Sequence, residues 1–144
     1  MIEMSRNRWL LVGGALSALA SGLHLAMIAG GAAWYRFFGA GEQIATLAAR
    51  GHWYPPLIAS VIALVLAVWA LYAFSGAGLI RPLPLLKWAL TAITAVYLLR
   101  GLALIPLLVR MGGGLSAFWW WSSLICLGYG AVHLIGLIKG WSKL

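Results

Sequence analysis

Residues 83–108 read LPLLKWALTAITAVYLLRGLALIPLL. Apart from Lys87 near its start and Arg100 further on, this run is apolar or weakly polar and holds no acidic side chain. It is long enough to cross a hydrocarbon core of about 30 Å, which takes roughly 20 helical residues. A helix closes its backbone hydrogen bonds within one segment, so the run reads as a membrane-spanning helix. Arg100 then stands out. An arginine near the centre of such a helix costs roughly 3 kcal/mol on insertion scales. The charge must find water, a partner or a ligand, and it marks a place for a site without naming the chemistry.

Composition extends this reading to the whole chain. Of 144 residues, 64% are hydrophobic and 8% are charged, and the mean hydropathy is +0.99. Soluble domains carry about 25% charged residues. One integral membrane domain over residues 1–144 is expected, in a cell membrane and by this reading a bacterial inner membrane. The net charge of +8 comes from basic residues scattered singly between apolar runs. Such residues set topology and contact anionic headgroups, so membrane lipids are the expected partners and nucleic acid is not. Cys126 is the sole cysteine, which excludes an intrachain disulfide, a CxxC pair and a thiolate cluster.

Four spans are expected, at about 9–33, 56–74, 84–108 and 116–138, giving an all-α four-transmembrane-helix bundle. Arg6 and Arg8 before an apolar run, with Ala18-Leu19-Ala20 after it, imitate a signal peptide. Apolar character continues to Ala33, too far for a signal h-region, so a retained helix is expected. Trp34, Tyr35, Phe37 and Phe38 follow as an interfacial belt with Arg36. Gly41 to Arg50 reads as a short interfacial amphipathic helix between spans one and two. Glu42 is in its first turn, Arg50 in its last, and Gly51 stops it. Pro55 and Pro56 suit the start of span two, Pro106 should kink span three, and Gly112-Gly113-Gly114 forms a hairpin. Four spans put both termini on one side. That side holds Arg6, Arg8, Arg81, Lys87, Lys139 and Lys143, against Arg36, Arg50 and Arg110 opposite. The positive-inside rule therefore places the termini in the cytoplasm.

Helical spacing puts polar residues on three faces. Ser17, Ser21 and His24 share one on span one, Tyr97 and Arg100 one on span three, and Ser122, Cys126, Tyr129 and His133 one on span four. The simplest arrangement turns these faces to a common interior and leaves span two the most lipid-exposed. At 1.5 Å per residue, His24 lies roughly 22 Å into span one, and Arg100 lies similarly far into span three. Glu42 follows in the loop above them. Arg100, His24, Tyr97 and Glu42 are thus the candidate ligand-binding residues, with Tyr129 and His133 a secondary polar stripe. Arg100 is expected either to pair with Glu42 or to snorkel outward. His24 and His133 differ in depth by roughly 12 Å, which argues against a bis-histidine haem. No HExxH and no carboxylate cluster suggests a metal, so neither metal nor cofactor is assigned. Gly14, Ala18, Gly22, Ala26 and Gly30 recur every four residues, a small-xxx-small stripe suited to a homo-oligomer or a membrane partner.

Three functions follow. The first is binding or transport of a small anionic or amphipathic ligand, such as a lipid or quinone, in an outer-half pocket around Arg100 and His24. Arginine favours carboxylate and phosphate through its planar fork. The second is a non-catalytic accessory or assembly subunit docking through the span-one stripe. The third is a lipid-modifying enzyme with His24 or Glu42 as acid or base, which ranks last because no nucleophile with a convincing base is present. A cation exporter needs a carboxylate within a span, and no Asp or Glu lies in one.

Overall fold

A computed structural model of the chain describes residues 6–144; Glu3, one of the two acidic residues, lies outside the described residues. Among the described residues all regular structure is helical. In chain order the helices are α1 Arg8–Phe37, α2 Glu42–Ala49, α3 Tyr54–Gly76, α4 Leu86–Leu102, α5 Leu104–Met111 and α6 Ala117–Gly140. Four stretches are long and apolar enough to cross a membrane: α1, α3, α4 continued by α5 (Leu86–Met111), and α6. They stand at the four expected places with ends displaced by a few residues, and α2 occupies the place of the expected short helix.

Local chemistry explains the boundaries. Asn7 precedes α1, and its Oδ1 accepts a hydrogen bond from the Leu10 N–H at 3.2 Å, satisfying one of the donors a helix start leaves open. Within α1, Gly31 leaves helical geometry at φ 67°, ψ −153°, a conformation that side chains with a Cβ rarely adopt. At the start of α3, the His52 ring accepts from the Tyr54 N–H at 3.2 Å through Nδ1. Pro55 and Pro56 then sit in the first turn, where a missing N–H is harmless. The third apolar stretch breaks at Ala103, between α4 and α5. Pro106 accounts for it: its ring clashes with the carbonyl four residues back, that of Leu102.

The chain divides into two compact units, Ser17–Val68 and the described part of Met1–Leu16 together with Trp69–Leu144. In the first, Met27, Tyr35, Ala45 and Ala59 form a core flanked by Ile28, Phe38 and Ile44. The Ser21 hydroxyl donates to the Ala63 carbonyl at 2.7 Å, tying α1 to α3.

The second unit is built on α4 against α6. Leu90, Ile93, Thr94, Tyr97 and Gly101 are the buried residues of α4, a single face by helical spacing. On α6 the buried face carries Ser123, Gly130, His133, Gly136 and Leu137. Two glycines set the approach. A Cβ on Gly101 would lie 2.5 Å from Leu127 Cγ and 2.9 Å from its backbone nitrogen, and one on Gly130 would meet Leu98 Cδ2 at 2.6 Å. Each helix thus offers a leucine to the other's glycine. Leu10, Ala73, Ala77, Leu90 and Leu137 close one end of this unit, where Leu10 and Leu90 are fully buried. Burying one such leucine contributes about 2 kcal/mol. The Asn7 side-chain amide also donates to the Gly136 carbonyl at 2.7 Å.

Two expectations change. Span two is not set apart by exposure, since the apolar windows of all four stretches are 28% buried. The small-residue stripe does not act as one surface either. Gly14 lies under the Phe74 ring of α3, whose Cδ1 would be 2.6 Å from a Cβ, whereas a Cβ on Gly22 would meet nothing within 4 Å. Gly30 lies beneath Trp34 of its own helix.

Candidate functional site

Arg100 is half-buried on α4 and reaches across to α6. Its Nη1 donates to Ser123 Oγ at 3.2 Å and its Nη2 to Ser122 Oγ at 3.1 Å. The guanidinium carbon lies 4.8 Å from the ring centroid of Trp119, one turn earlier on α6. The close passage at Gly101–Leu127 brings the two helices near enough for this reach. Trp119 covers one face of the guanidinium through cation–π attraction, and the serines hold two corners of its edge.

Among the described residues no ion pair neutralises the charge. Glu42 is the sole acidic residue among the described residues, and its carboxylate is taken by Arg36, with Nε at 3.0 and 3.1 Å from the two oxygens and Nη2 at 2.8 Å from one. Chiefly those hydrogen bonds hold the Glu42 carboxyl below its ordinary pKa; desolvation opposes them, and the charge of Arg36 adds a smaller lowering. The side chains of both partners are well exposed, at 48% and 70%. Each residue thus has its partners within its own unit: Glu42 holds Arg36, and Arg100 turns to hydroxyls on α6 that lie about one turn nearer the hairpin.

A guanidinium carries more N–H donors than the two that the serines take. Both serine oxygens accept from arginine, which leaves each hydroxyl its own O–H to donate. Arg100, Ser122 and Ser123 therefore offer a set composed of donors beside an uncompensated positive charge. Such a set suits an anion.

The remaining candidates are distributed elsewhere. Tyr97 is buried and belongs to an aromatic cluster, with ring centroids 5.0 Å from Trp69, 5.4 Å from Tyr129 and 5.1 Å from His133. The stripe of Tyr129 and His133 on α6 thus meets Tyr97 on α4, as polar faces turned to a common interior would. His133 is fully buried, and its Nδ1–H donates to the Tyr129 carbonyl at 2.8 Å. Since a carbonyl can only accept, Nδ1 carries a proton, and Nε2 finds no hydrogen-bond partner among the described residues. The ring lies over Gly13, where a Cβ would be 2.8 Å from Cε1. His24, half-buried in the unit Ser17–Val68, has the same local bond, from Nδ1 to the Ala20 carbonyl at 2.8 Å. Among the described residues no group of three or more His, Cys, Asp or Glu side chains could hold a metal ion.

Sequence reasoning placed Ser122 on the polar face of span four and put none of Ser122, Ser123, Trp119 or Asn7 among the candidate ligand-binding residues. Counting outward in both directions from the Gly112–Gly114 hairpin brings Tyr97 level with Tyr129, but it brings Arg100 level with Cys126, about one turn deeper than Ser122 and Ser123. No family model, curated protein or solved structure matches this chain.

Proposed function

We propose that this is a multi-pass membrane protein, with both termini in the cytoplasm of a bacterial cell, that binds a small anionic amphipath at Arg100. The observation that carries the reading is the arginine itself. It sits in a helix of membrane-spanning length, it points at hydroxyls, and no described acidic side chain neutralises it. Leaving such a charge in an apolar setting costs several kcal/mol, and an anionic headgroup would offset that cost. An aliphatic tail would lie along the exposed flank of α4 and α6, where Leu99, Leu102 and Leu124 are 67%, 47% and 60% exposed. A carboxylate is the best match, because its two oxygens fit a planar fork already aligned by the serines. His24 is not required by this reading.

Titration of the detergent-solubilised protein with laurate tests it. The wild type binds laurate and ignores dodecyltrimethylammonium. Arg100→Gln binds it less well by about 2 kcal/mol, roughly thirtyfold, the worth of a charge-assisted hydrogen bond. Equal affinity in the two proteins would reject the site. The proposed orientation is checked separately by labelling single cysteines, placed at each terminus of a Cys126→Ser protein, in intact cells. Both must be shielded from an impermeant reagent.

A second reading, a docking role for α1, is favoured by one observation: Gly22 opens onto free space. Its test belongs with the helices and is given below.

A further inference from the structure

The end of the second unit that carries its basic residues holds an open cleft of about 970 Å³. Arg6, Arg81, Lys87 and Lys143 line it, together with Leu85 and Trp88, and no acidic side chain is among its lining residues. This concentration is not a consequence of overall charge alone. Four of the ten basic residues of the chain converge on one concavity. No described residue forms an ion pair with any of them; Lys87 lies 4.5 Å over the ring of Trp141.

The wall that carries Arg81 is tied in place. The Ser75 hydroxyl, buried at the end of α3, donates to the Arg81 carbonyl at 3.0 Å and accepts from the Leu83 N–H at 3.0 Å. Tyr72 adds a bond from its hydroxyl to the Pro84 carbonyl at 3.3 Å. Beside these cations the rim is apolar, with Leu85 76% and Trp88 69% exposed. Bare apolar side chains next to converging cations describe a receptor for a molecule with an anionic head and hydrocarbon tails. A soluble anion would use the cations and leave Leu85 and Trp88 without a role.

We infer that this cleft binds the headgroup of an anionic phospholipid, its phosphate held among Arg81, Lys87 and Lys143 and its acyl chains laid against Leu85 and Trp88. The inference rests on reading the long helices as membrane spans, and not on the Arg100 site. Charges near an anionic lipid surface are each worth about a fivefold change in binding.

The experiment is native mass spectrometry of the full chain from neutral-detergent micelles containing equal amounts of phosphatidylglycerol and phosphatidylcholine. The wild type should retain phosphatidylglycerol preferentially. The double variant Arg81→Gln/Lys87→Gln should retain it roughly 25-fold less, while Arg110→Gln keeps the wild-type preference. Retention of the two lipids in equal amount, or an unchanged preference in the double variant, overturns the inference. Displacement of phosphatidylglycerol by inorganic phosphate at equal concentration overturns the lipid assignment in favour of a soluble anion. If the double variant fails to give a helical, monodisperse protein, Lys87→Gln alone carries the test, with about fivefold weaker retention expected. Undiminished laurate binding by Arg81→Gln/Lys87→Gln separates this cleft from the Arg100 site.

Discussion

At the scale of single residues, what a charged side chain does here is set by which neighbour lies within its reach. Arg36 and Glu42 are six positions apart across a glycine-containing turn, and they find one another before either meets a more distant partner. Arg100 has no acid at hand and takes hydroxyls instead. The two cases respond differently to solution conditions. Glu42 has a lowered folded-state pKa, so its contribution is present above the unfolded carboxyl pKa and is lost as pH falls through the lower folded value. Backbone amides of α2 should therefore exchange faster as pH is taken below the ordinary carboxylate range, after correction for intrinsic exchange, and Glu42→Gln should show that faster exchange already at neutral pH. Salt should weaken the effect, because both side chains are exposed. Unchanged α2 protection in Glu42→Gln would remove the pair from any anchoring role. Arg100 was legible from sequence as an anomaly. Its partners were not, because serines are common small residues in apolar helices and these two lie about one turn away from the depth of Arg100.

At the scale of helices, periodicity and turn chemistry announced nearly every element. Gly51, the Pro55–Pro56 start, the Pro106 break and the glycine hairpin all act as their types suggest. What spacing could not show is which small residue serves which contact. Gly101 and Gly130 mediate the α4–α6 approach, yet the evenly spaced series on α1 drew more notice. Period alone does not say what a face meets. Gly101→Leu should be strongly destabilising, by about 3 kcal/mol, since the added Cβ meets the Leu127 backbone nitrogen, which cannot move aside as a side-chain tip would. A thermal midpoint equal to wild type would contradict the packing. A Cβ on Gly22 meets nothing within 4 Å, so Gly22→Ile should leave stability unchanged. If the docking reading of α1 holds, that same variant should lower the oligomeric mass measured in detergent; an unchanged mass would reject it.

At the scale of the whole molecule, four apolar helices and an almost acid-free sequence make the fold class readable from composition, whereas the site had to be located by depth and reach. The account depends on one claim: an unneutralised arginine, braced by Ser122, Ser123 and Trp119, receives an anionic headgroup. Its most direct test is solid-state NMR of the reconstituted protein, with 15N-labelled arginine and laurate labelled with 13C at the carboxyl carbon. The account predicts a short-range 13C–15N dipolar contact between the bound carboxylate and guanidinium nitrogens that disappears in Arg100→Gln. Laurate that binds without such a contact, or keeps the contact in Arg100→Gln, would contradict it.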